Sequence, residues 1–191
     1  METTGATFVY VSCAEDGEIA SYVLEPSGSL TALARVKVAK GVMPMAVSPD
    51  RRFLHVVSRP PPYAIHLLAI DRDTGALTPS STSPLPESLP YISFDRSGRF
   101  LLGASYHQNL ITVTAVGVDG RVAPAPLQTI PVGRNAHSIR VDASNRFAFV
   151  PTLGSDAVFL FRFDAATGAL RSNTPSLCLT PAGAGPRHFD I

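Results

Sequence analysis

Charge of one sign is the plainest thing this sequence lacks. Charged residues make up only 16% of its 191 residues, and the net charge is +1. It therefore offers no basic surface to nucleic acid and no polybasic attraction to anionic lipid. Long apolar runs are missing as well: none approaches the roughly 18 residues that a membrane span needs. The N-terminus, METTGATFVYVSC, carries an acid and no basic residue ahead of its apolar stretch. It reads as the start of a cytoplasmic chain and not as a secretion leader. There are two cysteines, Cys13 and Cys178, with no CxxC and no Cys/His spacing suited to a metal. In a cytoplasmic chain both are expected to be reduced, buried small hydrophobes. No GxSxG elbow, Walker loop, HExxH or dinucleotide fingerprint occurs. GAGPRH (183–188) is glycine-rich but precedes a strand pattern, so it is no phosphate loop at a helix N-terminus.

What is present is a globular composition, 45% apolar, in a length suited to one domain. Within it lies a repeat. SPDRRFLHVVS (48–58), FDRSGRFLLGAS (94–105) and VDASNRFAFVPT (141–152) align on Phe53, Phe100 and Phe147, at spacings of 47 and 47. A second marker, GSLT, GALT, GRVA and GALR from Gly28, Gly75, Gly120 and Gly168, recurs at 47, 45 and 48. Two markers sharing one period identify an internal repeat.

Each unit reads as four short strands. In the second they are PMAVS, RFLHVVS, AIHLLAID and LTPSSTSPL. These runs are separated by Asp/Gly/Ser clusters, in which Asp caps its own turn and Gly takes positive φ. No run of helical period with caps appears. Four strands in about 45 residues predict an all-β fold, a β-propeller of four-stranded antiparallel blades. The first unit starts at FVYVSC, which matches a second strand, so its first strand is missing. The last residues, PRHFDI (186–191), match a first strand. The expectation is a single domain over 1–191, about four blades of a larger propeller, cut within the first strand of a fifth. Such a fragment is expected to be inactive by itself, with apolar faces and strand edges exposed. An alternative is a closed four-bladed ring, in which the last segment supplies the missing first strand and Cys13 pairs with Cys178.

First strands line a propeller's channel. The residue ten before each Phe anchor falls at equivalent points: Met43, Pro90 and His137. Matching AHSIRV to PRHFDI puts Arg187 or His188 at the next such point. A base and a cation then converge on one concavity, which marks a candidate site. The same spacing is compatible with a strand-capping histidine and an arginine paired to a surface acid. Arg59, in SRPPPY, and His107, in ASYHQN, follow the second strands of their blades and are candidates at the channel mouth, or simply loop residues. His55 and His66 alternate with apolar residues and read as structural.

The chain resembles the seven-bladed propeller lactonase family, most closely its bacterial 6-phosphogluconolactonase branch. The resemblance covers essentially all 191 residues. It rests on PMAVSPDRRFLHVVSRP (44–60), DTGALT (73–78), GASYHQNLITV (103–113), AHSIRVD (136–142) and, most specifically, GAGPRHF (183–189). It implies seven blades closed by strand exchange, and hydrolysis of 6-phospho-D-glucono-1,5-lactone to 6-phosphogluconate in the pentose phosphate pathway. It also implies functional roles for His137 and Arg187 and a glutamate in the blade after Ile191. A related branch cyclises carboxymuconate instead, and a propeller can also serve as a non-catalytic binding platform. The chain departs from the family at Asn135-Ala136-His137, where many members have His-x-His. It departs again at Thr152-Leu153-Gly154-Ser155-Asp156, where many have Asp-Leu-Gly-x-Asp.

Lactone hydrolysis needs an activated water, a stabilised oxyanion and an oriented sugar phosphate. His137 is the candidate base, and Arg187 the candidate oxyanion or phosphate ligand. His188, Arg59 and His107 are candidates for phosphate or hydroxyl contacts. The scheme calls for no metal and no cofactor. The partner it implies is a small sugar-phosphate lactone; oligomeric state has no signature in the sequence.

Overall fold

The computed structural model describes residues 6–191; residues 1–5, the start of the N-terminal stretch read above as leaderless, lie outside it. The described residues form four antiparallel sheets, three of four strands and one of three. The first sheet holds β1 (Thr7–Cys13), β2 (Glu18–Leu24) and β3 (Leu30–Lys37). The second holds β4 (Val42–Val47), β5 (Phe53–Ser58), β6 (Ala64–Ile70) and β7 (Leu77–Pro84). The third holds β8 (Tyr91–Phe94), β9 (Phe100–Ser105), β10 (Leu110–Ala115) and β11 (Gln128–Pro131). The fourth holds β12 (Arg140–Val141), β13 (Phe147–Thr152), β14 (Ala157–Phe163) and β15 (Leu170–Leu179). In each sheet successive strands are neighbours, as the repeat predicts for blades, and the first sheet begins at the second-strand position.

Composition sorts the strands from inside to outside. The second strands of the two middle blades are covered on both faces by neighbouring blades. β5 and β9, FLHVVS and FLLGAS, are buried almost throughout, so they read as unbroken apolar runs. The fourth strands border solvent on one edge. β3, β7 and β15 are largely exposed and are richer in Ser, Thr, Pro, Arg and Lys. This corrects the expectation for Cys178, which sits exposed on the outer strand β15. Cys13 is half-buried, and both thiols are free. Among the described residues, the C-terminal segment adds no strand to the three-stranded first sheet, so no four-bladed ring closes there. Residues 186–191 lie against the fourth blade, with Ser138 Oγ donating to the Arg187 carbonyl (2.9 Å) and Arg140 Nη1 to Asp190 (2.6 Å). They join no strand ladder among the described residues.

The core is a set of slabs between blades. Ile19, Val42, Leu54 and Val56 fill the first slab; Val57, Ile65, Ile92 and Leu101 the second; Leu102, Ile111, Ile139 and Val150 the third. One contact repeats at every junction. The aromatic that opens a second strand lies over the positive-φ glycine in the last turn of the next blade: Phe8 on Gly75, Phe53 on Gly120 and Phe100 on Gly168. A Cβ on those glycines would come within 2.3, 2.7 and 2.6 Å of the ring. Gly28, the same glycine in the first blade, has nothing within 4 Å. At the first two junctions a polar tie is added, two residues beyond the aromatic. Tyr10 donates its hydroxyl to the Gly75 carbonyl (3.0 Å), and His55 Nε2–H donates to the Gly120 carbonyl (2.7 Å). His55 is thus a structural histidine, as its place in the strand suggests. Burial holds its pKa below the ordinary value.

Candidate active site

The second and first strands of a blade run antiparallel, so the loop after a second strand lies beside the entry to the first strands. At this end the turn between second and third strands does the positioning. In the third blade Asn109 closes that turn at φ 57°, and in the fourth Asp156 closes it at φ 48°. The two residues are 47 apart, so they are the same position in the repeat. Asn and Asp tolerate this left-handed conformation better than other side chains do. Each uses its side-chain oxygen on the chain entering the next first strand. Asn109 Oδ1 accepts the N–H of Asn135 (2.8 Å), two residues before His137. Asp156 accepts the N–H groups of Gly183 and Gly185 (both 2.8 Å), the second lying two residues before Arg187. The Gly185 and Gly183 amides hold the Asp156 carboxyl below its ordinary pKa. Asn135 also donates from Nδ2 to the Tyr106 carbonyl (3.3 Å), which ties in the His107 loop. Gly154 leaves the room that Asn135 needs, since a Cβ there would fall 2.3 Å from Asn135 Oδ1.

These anchors bring three of the five predicted site residues, His137, Arg187 and His188, to one place, and the charge of Arg59, from the second blade, also reaches His137. His137 is buried, and its backbone N–H reaches the Pro151 carbonyl (3.1 Å). Arg187 donates its Nε–H to His137 Nε2 at 2.9 Å. An arginine only donates, so Nε2 is the accepting nitrogen and the proton of the neutral imidazole sits on Nδ1. That Nδ1 is buried without a hydrogen-bond partner. The His188 ring meets His137 edge-on, with centroids 4.7 Å apart. Burial lowers the His137 pKa first, and the charges of Arg187, His188 and Arg59 lower it further. The charges that act most strongly on it, those of Arg187, His188 and Arg59, are all positive, so this part of the channel wall is cationic. Arg59 belongs to this group by its field, and it leaves β5 with Nη1 3.8 Å from the sulfur of Met43. Met43 is the residue whose place in the repeat matches His137.

His107 is the exception. It is exposed, and its ring rests edge-on against Tyr106 (5.2 Å), which in turn faces His137 (5.8 Å). It stands one ring removed from the base. Sequence reasoning missed Tyr106, Asn109, Asn135 and the positioning role of Asp156. Two signals could have found the turn residues: Asn or Asp at a turn position where the first blade has Gly17, and the 47-residue register between Asn109 and Asp156. The site is the wall of an open channel. A cavity of about 230 Å³, lined by Ser48, Arg52, His55, Arg99 and Gly120 among others, lies instead among the turns between first and second strands, at the far end of the blades. Among the described residues no group of His, Cys, Asp and Glu could hold a metal ion, and no helix is long and apolar enough to cross a membrane.

Known proteins give this geometry its context. The chain is 39% identical to the 6-phosphogluconolactonase of Serratia proteamaculans over 181 residues, covering 95% of this chain and 54% of that protein. It is 37% identical to the 6-phosphogluconolactonase of Erwinia tasmaniensis over the same share of each. It thus spans about half the length of the relatives it matches. Among solved structures it superposes on a periplasmic gluconolactonase of Pseudomonas aeruginosa with a TM-score of 0.80 and 26% identity, covering 96% of this chain and 57% of that one. A protein of Bacteroides fragilis shares the fold, with a TM-score of 0.82 at 21% identity, over 98% of this chain and 58% of that one. The family model described as lactonase, 7-bladed beta-propeller matches residues 8–191. The strand order, the repeat and these likenesses agree: the chain belongs to the lactonase family of seven-bladed β-propellers.

Proposed function

We propose that this chain carries the His137–Arg187 part of a site that hydrolyses 6-phospho-D-glucono-1,5-lactone to 6-phosphogluconate. The observation that carries the reading is a buried imidazole whose Nε2 accepts from Arg187, with the His188 ring against it, in a chain whose relatives bear that activity in their names. A cationic wall suits an anionic substrate and the oxyanion of acyl transfer. The reading belongs in the cytoplasm, where Cys13 and Cys178 stay thiols, with the sugar-phosphate lactone as the small-molecule partner.

In the free site the lone pair of His137 Nε2 is covered by Arg187, so the imidazole is not yet a base. An anionic substrate competes for the guanidinium and draws it away. Nε2 then takes a proton from water as the water oxygen bonds to the lactone carbonyl carbon. Arg187 stabilises the resulting oxyanion. Collapse of the tetrahedral intermediate breaks the bond to the ring oxygen, and the imidazolium returns its proton there. The exchange of Arg187 from base to oxyanion keeps the histidine dormant until an anion arrives.

The test is a chimera in which residues 8–191 replace the matching half of the Serratia proteamaculans relative. It is assayed with a coupled reaction that reports 6-phosphogluconate. We expect turnover, reduced by about 10²-fold or more on His137→Ala, the usual contribution of a general base. A folded chimera that is inert, or one indifferent to His137→Ala, would refute the reading. Turnover of a carboxymuconate in its place would assign the chain to the cycloisomerase branch.

A further inference from the structure

Arg59 stands apart from the other cations of the site. Its Nε is buried and has no hydrogen-bond partner among the described residues. Its Nη1 has only the Met43 thioether, at 3.8 Å, and a thioether is a weak acceptor. A guanidinium stays charged at any physiological pH, and burying one of its donors unpaired costs desolvation that nothing on this chain repays. Arg187, by contrast, is occupied with His137.

The backbone holds Arg59 in this position. Its N–H donates to the Gly41 carbonyl at 3.1 Å, and the Pro60 ring that follows lies so close to Gly41 that a Cβ there would fall 2.4 Å from it. Two further prolines, Pro61 and Pro62, restrict the strap. A restrained arginine with free donors is a preorganised anion receptor, because little ordering remains to be done on binding. It lies at the same end of the channel as His137 and two blades away from it. The third blade, with Pro90 at the corresponding point, stands between them.

We propose that Arg59 is the phosphate-reading residue of the site and sets its preference for a phosphorylated over an unphosphorylated lactone. This rests on the lactone reading above. Arg187 and His137 serve the reacting carbonyl at one end of the substrate; Arg59 grips the dianion at the other, with a planar fork matched to phosphate oxygens.

The experiment uses the same chimera, which carries residues 8–191, and two probes, 6-phosphogluconate and gluconate, with binding followed by NMR at the His137 ring; the wild-type chain is this chimera without further substitution. The wild-type chain should favour the phosphorylated probe by about ten- to a hundredfold, the worth of a charge-assisted hydrogen bond. Arg59→Met, which keeps most of the stem, should bring the ratio to within about threefold. Arg59→Lys should fall between, since it keeps the charge without the fork. An unchanged ratio in Arg59→Met overturns the proposal and leaves the lactone reading standing. So does an equal loss of both probes, which would make Arg59 structural. If the His137 ring of the folded chimera responds to neither probe, the lactone reading fails and this one with it.

Discussion

Gly168→Ala and Gly28→Ala make the same substitution at the same turn of two blades, and the structure predicts different costs. Both glycines have positive φ, 78° and 87°. Each alanine therefore pays the left-handed penalty of an L-residue, about 1–2 kcal/mol. At Gly28 the cost stops there, because the new methyl meets nothing within 4 Å. At Gly168 the methyl would fall 2.6 Å from two atoms of the Phe100 ring. The ring is buried between the third and fourth blades, so overpacking adds about 1–3 kcal/mol. Urea denaturation of the two variants should differ by that second amount, and melting temperatures by about 2–4 °C per kcal/mol for a chain of this size. Adding Phe100→Leu to Gly168→Ala should recover part of the difference, since the two sites are in contact. Equal costs at Gly28 and Gly168 would refute the claim that the aromatic-on-glycine contact carries the blade junction.

Two other expectations concern charge. Arg187→Gln removes a positive charge beside His137 and uncovers Nε2, so the His137 pKa should rise; a histidine NMR titration that finds it unmoved would break the lone-pair argument. Because His55, His66 and His137 all titrate below their ordinary pKa in the fold, the unfolded chain binds more protons than the folded one as pH falls below about 6.5. Stability should therefore be fully present above that pH and decline below it, through the lowered folded-state values. Denaturant midpoints that stay level between about pH 7 and pH 5 would contradict this.

The blades were legible because the repeat is written twice, once in the aromatic anchor and once in the glycine that receives it. Phe53 with Gly120, and Phe100 with Gly168, are the two halves of one contact, though the sequence displays them only as markers with a common period. Counting ten back from the anchor pointed to His137, and local matching to Arg187 or His188, because first strands keep their register. His107 is harder to place, because a residue just past a strand end takes its direction from the turn, and here the turn points Tyr106, not His107, toward His137. The buried cysteine expectation failed at Cys178 because strand order from channel to rim, which decides exposure, is weakly expressed in a short apolar–polar alternation. The anchoring roles of Asn109 and Asp156 leave no local pattern in the sequence, since each hydrogen bond joins a turn to a loop 26 to 29 residues later.

The left-handed Asn109 and Asp156 anchors fasten backbone, and they leave free the identity of the side chain two residues downstream. One such address holds a histidine and the next an arginine, on the same scaffold and at the same depth in the channel. The ring thus behaves like a dial with interchangeable digits. The fold thereby separates the address, set by backbone hydrogen bonds from a left-handed turn, from the chemistry presented there.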